Sequence, residues 1–263
     1  MDFKNKVVMI TGASSGIGEA LVYEFDKRQA RIIIAARREN ELMRVKNNCK
    51  NPQNIIVHPL DLENHDDIPQ KVEQVLKQTK KIDILVNNGG ISQRSFVKDT
   101  PLEIDKRIMN VNFFGTVALT KAVLPSMLQN KSGHIVVISS VTGKIGVKLR
   151  SAYAASKHAL HGFFDTLRYE TWEDHLKVTI ICPGYIRTNV SINALTADGS
   201  VQNTMDEATD NGMKPDYLAK RIINAIIKEK EEEVIAGKEK LGIYLKRFAP
   251  RLLSKVMRKA KVT

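Results

Sequence analysis

Seven short and nearly unbroken β-branched or apolar runs punctuate the chain: K-V-V-M-I-T (6–11), R-I-I-I-A-A (31–36), N-I-I-V-H-P-L (54–60), I-D-I-L-V-N (82–87), H-I-V-V-I-S-S (134–140), V-T-I-I-C (178–182) and E-V-I-A (233–236). A run without polar alternation suits a strand covered on both faces, and covering both faces takes helices above and below the sheet. The longer polar segments between the runs carry helical periodicity and are long enough for crossover connections. This pattern predicts an α/β chain with a doubly wound, seven-stranded parallel sheet.

Length and composition agree with one such domain. At 263 residues the chain can bury a substantial core, and 43% hydrophobic with 27% charged residues is ordinary globular composition. The apolar stretch before Gly12 is too short for a signal-peptide core or a bilayer crossing. Cys49 and Cys182, lacking a disulfide-like or ligand-like spacing, fit a reducing, cytoplasmic setting. The six histidines show no ligand pattern either, so no metal site is expected. The net charge is +12, but residues 238–263 hold nine Lys or Arg against one Glu. The excess thus lies in a basic tail after a body spanning 1–237, which argues against nucleic acid as a partner of the fold.

The first run passes directly into T-G-A-S-S-G-I-G (11–18) and then into the helical pattern E-A-L-V-Y-E-F. Glycines at 12, 16 and 18 permit a tight turn, close approach of backbone to an anion, and close helix-on-strand packing. A pyrophosphate would then rest on free N–H groups at the helix N-terminus, the arrangement of a Rossmann dinucleotide site.

Thr11-Gly12-x-x-x-Gly16-x-Gly18, Asn87-Asn88-Gly89-Gly90, Ser140 and Tyr153-x-x-x-Lys157 together resemble the short-chain dehydrogenase/reductase pattern in order and spacing. The likeness spans about residues 5 to 236, with Gly89 as a departure where the family usually has alanine. It implies a single-domain Rossmann fold and an oxidoreductase acting on a CH–OH or carbonyl group. It also implies cofactor contacts from Gly12, Ser14, Ser15, Gly16, Ile17 and Gly18, and from Asp61 and Leu62 beside the adenine. Further contacts would come from Asn87 and Gly89, from Tyr153 and Lys157, and from Pro183, Gly184, Ile186 and Thr188, with Thr188 at the nicotinamide carboxamide.

The second strand ends in Ala35-Ala36, without the carboxylate that would bind both ribose hydroxyls, and Arg37 and Arg38 follow. Guanidinium groups make forked, charge-assisted bonds to phosphate, so NADP(H) is the expected cofactor, with Ser14 adding a hydroxyl.

The alkoxide formed as a carbonyl is reduced needs a proton, and Tyr153 can supply it. A phenol near pKa ~10 needs positive charge nearby, and Lys157 lies one helical turn away on the same face. Ser140 would hydrogen-bond the substrate oxygen; its neighbour Ser139, facing the opposite way on a strand, is the competitor. Asn112 matches the family's fourth position, which supports a proton relay, with Asn110 as the alternative.

The segment from about 184 to 214 is too long for a simple connection and reads as a substrate cover. Lys148 and Arg150 could bind an anionic head group or be solvated loop charges. P-G-Y-I-R-T-N-V-S-I-N-A-L-T-A-D-G-S and R-S-A-Y-A-A-S-K-H-A-L look like the dehydrogenase/reductase member 7 group, whose substrates are hydrophobic carbonyl or hydroxyl compounds of lipid, steroid or retinoid type. Members of that group are usually anchored at the N-terminus; the few residues before the first strand hold no apolar span, so an anchor is not expected. In the tail, Leu241, Leu245, Phe248, Leu252 and Val256 recur at helical steps among cations, and Pro250 should split the helix. Such a tail can touch anionic membrane peripherally or pack on the protein. The family likeness also implies a homodimer or homotetramer pairing the helices around 102–129 and 151–172. A cofactor-binding regulator without catalysis is the competing class, and the intact catalytic set speaks against it.

Overall fold

A computed structural model of the chain describes residues 2–260. Its seven strands are β1 (Val7–Thr11), β2 (Arg31–Ala36), β3 (Ile55–Pro59), β4 (Ile84–Asn87), β5 (Gly133–Ile138), β6 (Leu176–Pro183) and β7 (Glu232–Ile235). They form one sheet in the order β3-β2-β1-β4-β5-β6-β7, with every neighbouring pair parallel. Strand order reverses between β1 and β4, which opens a crevice at the C-terminal edge of the sheet.

Strand period accounts for the two cores. Val8, Ile10, Ile32, Ile34, Ile84, Val86 and Val136 point to one face, where they meet Leu21 and Phe25 of α1 (Gly16–Asp26), Leu42 of α2 (Glu39–Asn47) and Ile222 of α8 (Pro215–Ile227). Their neighbours Val7, Met9, Ile33, Leu85, Ile135 and Val137 point to the other. There they meet Val72 of α3 (Ile68–Thr79), Leu119 and Val123 of α5 (Gly115–Gln129) and Leu160 and Phe164 of α6 (Ser151–Glu170).

Helix α4 (Leu102–Met109) runs into α5 through a widened π turn at Asn110–Phe114. The span Leu102–Gln129 is long and apolar enough to cross a bilayer by length and composition. In the fold, however, its apolar side covers the sheet through Leu119, Val123 and Met127.

After β6 the chain makes a long excursion containing only the short α7 (Glu207–Asp210) before α8. Beyond β7, α9 (Lys240–Phe248) and α10 (Pro250–Lys259) divide at Pro250, as its missing N–H dictates. One side of the pair packs on the body: Ile243, Leu245, Leu253 and Met257 join Val141 and Ile145.

Candidate active site

The glycine turn follows from local sterics. Gly12 and Gly16 have φ of +63° and +58°, the left-handed region where a side chain is strained. Thr11 Oγ1 accepts from Asn88 N and Gly89 N, both at 3.0 Å, and Asn88 Nδ2 donates to Thr11 O at 2.9 Å. The end of β4 thereby staples the turn. Helix α1 begins at Gly16, and Ser15 provides no side-chain cap, so its first N–H groups stay available for an anion. A Cβ on Gly16 would stand 3.0 Å from Thr188 Cγ2, which leaves a narrow cradle.

A cleft of about 490 Å³ extends from this turn. Gly12, Ser14, Ser15, Gly16, Ile17, Arg37, Arg38, Asp61, Leu62, Gly89 and Thr188 all line it. Arg37 and Arg38 are exposed at its mouth, while Arg44 takes up Glu19 and Glu41. The remaining expected contacts lie elsewhere. Gly18 sits behind the turn, where a Cβ would strike Gly12 O. Asn87 is buried and donates to Thr120 Oγ1 at 3.0 Å, with its Oδ1 unpartnered. Gly184 lines a second chamber, and Pro183, the last residue of β6, and Ile186 just beyond it are buried. The glycine at 89 has a local reason: a Cβ there would lie 2.6 Å from Leu62 Cδ1.

Beside the cleft, α6 presents Tyr153 and Lys157. Lys157 is buried; its Nζ donates to Ile138 O at 2.8 Å and lies 5.7 Å from the centre of the Tyr153 ring. Burial brings the Lys157 ammonium down to about 8. Burial raises the Tyr153 phenol, opposed by the positive field of Arg150 and by hydrogen bonding from Ser140.

The two serines separate as strand period requires. Ser140 Oγ accepts from Thr142 N at 3.1 Å and faces the second chamber. Ser139 turns inward instead, where Oγ meets His161 Nε2 at 3.0 Å. His161 also approaches Cys182 Sγ (3.7 Å, through Nε2) and Glu232 Oε2 (3.5 Å, through Nδ1). Those contacts use opposite ring edges, Lys144 already holds Glu232, and burial pushes the Cys182 thiol up to about 12, which is a poor start for a chelate.

The π turn drives Asn112 into the interior, where it is fully buried. Its Oδ1 accepts from Ile91 N at 2.8 Å, and its Nδ2 donates to Ile91 O at 2.9 Å and Ser156 Oγ at 3.0 Å. Asn110, by contrast, contributes its carbonyl oxygen to His65 Nε2.

The second chamber, about 250 Å³, is walled mainly by apolar groups: Val141, Ile145, Val147, Leu241, Leu245, Leu253, Val256 and Met257, with Ser140, Arg150 and Tyr185 among them. Tail residues therefore form much of its wall. Arg150, weighed as a surface charge in the sequence, is buried, while Lys148 reaches Arg258 O at 2.6 Å. Arg94 and Asp206 had no motif to announce them; the two are buried and paired with each other. Asn88, which holds the turn, was visible only as part of N-N-G-G.

A family model described as short chain dehydrogenase matches residues 6–198. The chain belongs to the short-chain dehydrogenase family. Membership makes it an oxidoreductase working with a nicotinamide cofactor on a small molecule. Its relatives include dehydrogenase/reductase SDR family protein 7-like of Drosophila melanogaster, 45% identical over 98% of this chain and 81% of the relative. They also include dehydrogenase/reductase SDR family member 7B of Bos taurus, 41% identical over 97% and 81%. A short-chain dehydrogenase structure from Streptomyces avermitilis superposes with a TM-score of 0.85 at 28% identity, covering 99% of this chain and 100% of that one. A short-chain dehydrogenase/reductase from Burkholderia phymatum in complex with NAD shares the fold at TM-score 0.85 and 21% identity, covering 96% of each chain.

Proposed function

We propose that the protein is an NADP(H)-dependent oxidoreductase acting on a carbonyl or secondary alcohol of a hydrophobic compound. Residues 1–237 are its catalytic domain and 238–263 a basic amphipathic tail, of which described residues such as Leu241, Leu245 and Leu253 wall the substrate chamber. The observation that carries this reading is the meeting of Ser140, Tyr153, Lys157 and Asn112 between a dinucleotide-sized cleft and an apolar chamber.

The cleft fits the cofactor by its chemistry: left-handed glycines, free N–H groups opening α1, and two guanidinium groups where a 2′-phosphate would lie. Bound there, the nicotinamide supplies hydride transfer. Tyr153 gives its proton to the oxygen of the reacting carbonyl, and Ser140 Oγ donates to the same oxygen as its charge develops. Lys157 holds a positive charge beside the phenol. Asn112 anchors Ile91 and so fixes Gly90, whose Cβ position lies 3.8 Å from Lys157 Nζ, at the start of the relay.

A panel of lipophilic ketones and alcohols with both cofactors, followed by reduced-nicotinamide absorbance, tests the assignment. Wild type should use NADPH with the higher kcat/KM, and Arg37→Ala should lose about tenfold of that with NADPH alone, one charge-assisted phosphate contact. Equal or better turnover with NADH would overturn the NADP(H) preference.

A peripheral membrane contact is a compatible second reading. It is favoured by the outward side of the tail, where Phe248 and Leu252, which do not line the chamber, are exposed among lysines and arginines. Vesicles containing phosphatidylserine should sediment full-length protein and leave a chain ending at 237 in solution; equal sedimentation ends this reading. Exposed Leu102 and Phe114, and Tyr169 and Trp172, likewise give the helices around 102–129 and 151–172 an outer apolar side for a second copy, which a monomer by light scattering would contradict.

A further inference from the structure

Arg94 follows β4, Arg150 precedes α6, and Asp206 lies in the long excursion after β6. All three are buried, and both arginines bond the same oxygen: Arg94 through Nε at 2.9 Å and through Nη2, Arg150 through Nη2 at 3.2 Å. Arg94 Nη1 is satisfied by Ser92 Oγ and Gln93 O. Arg150 Nε has no partner, and its guanidinium stands 5.5 Å over the Tyr185 ring. Two buried cations share one carboxylate, so one positive charge stays uncompensated in a place where burying it is costly.

That charge has a neighbour able to use it. Arg150 precedes Tyr153 by three residues and, like Ser140, lines the apolar chamber. Lys157, the cation one turn beyond Tyr153 on α6, commits its Nζ to Ile138 O. We propose that the Arg94–Asp206–Arg150 cluster is a positioning element for the proton donor, setting a net positive charge beside Tyr153 that stabilises its phenolate.

The remaining groups around the phenol are the hydroxyls of Ser140 and Thr142, the latter buried without a partner, and Tyr185, which faces Arg150; Lys238 and Glu239 sit on the chamber wall. Glu239 is engaged with Tyr185 N at 3.0 Å. Arg150 leads the influences that oppose the effect of burial on Tyr153, with Arg94 behind it, which agrees with the geometry. Asp206 also ties the long loop to α6, so proton donor and substrate cover share one anchor.

The inference rests on Tyr153 as proton donor, and its test reads ionisation of the phenol, not turnover, so the two can fail separately. Full-length protein is prepared with 3,5-difluorotyrosine, which brings phenol ionisation toward neutral pH, and titrated by ¹⁹F NMR. The Tyr153 signal is the one missing from Tyr153→Phe. Arg150→Gln should move its midpoint to higher pH, Asp206→Asn to lower pH, and Arg150→Lys should stay with wild type. Should Arg150→Gln not fold, Arg94→Gln carries the same upward expectation. A common midpoint for all folded variants overturns the proposal, including a signal that never moves. So does a shift of Asp206→Asn in the same direction as Arg150→Gln, the mark of a purely structural clamp.

Discussion

Gly18 shows how far a single position governs the site. A Cβ there would collide with the carbonyl oxygen of Gly12 and stand 2.7 Å from Asn88 Nδ2, so the turn and the staple would both have to move. Gly18→Ala should cost about 3 kcal/mol or more in urea denaturation and abolish NADPH binding read by fluorescence. Unchanged stability would mean that the turn is softer than its contacts imply. Residues at this scale were legible where short spacing sets placement: the glycines of the turn, Lys157 one turn beyond Tyr153, and Ser140, chosen over Ser139 by its spacing to Tyr153. Arg94 and Asp206 were not, because they are 112 positions apart and meet only once the chain has crossed the sheet. Arg150 was visible but misleading, since a loop arginine gives no sign of burial until the partner that neutralises it is known.

At the scale of elements, the seven runs became the seven strands, with ends shifted by up to two residues. The sixth grew most, from 178–182 to Leu176–Pro183, because Leu176 and Lys177 pair with Gly133 and His134 on β5. A polar residue in the apolar pattern had hidden that start. The π turn at Asn110–Phe114 left no periodic trace either: it adds a residue to one turn and so brings Asn112 inward without altering composition. The tail read equally well as lipid-seeking or packed. Its structure divides the surface, with Leu253 and Leu245 turned to Ile145 and Val141, and Phe248 and Leu252 left outside. Helical spacing cannot show which apolar side finds a partner.

Across the whole molecule, a two-faced parallel sheet buries polar groups that tie stability to pH. His134 on β5 is 1% exposed, bonds Thr179 Oγ1 through Nε2, and is brought down by burial to about 4. The unfolded chain takes up this proton below about 6.5 whereas the folded chain does not until about 4, so stability is lost as pH falls through that window. The contribution is about 3 kcal/mol. His134→Gln should flatten the fall in urea stability between these pH values by that order, and an unchanged slope would assign the acid limb to carboxylates. The same architecture places the glycine-turn cleft, Tyr153 and the apolar chamber along one edge of the sheet, and the central claim is that they work as one site. Stopped-flow turnover of the best carbonyl substrate by Tyr153→Phe, alongside NADPH binding, tests that claim most directly. Binding should be retained while turnover falls about a hundredfold or more; full turnover in the variant would contradict the account.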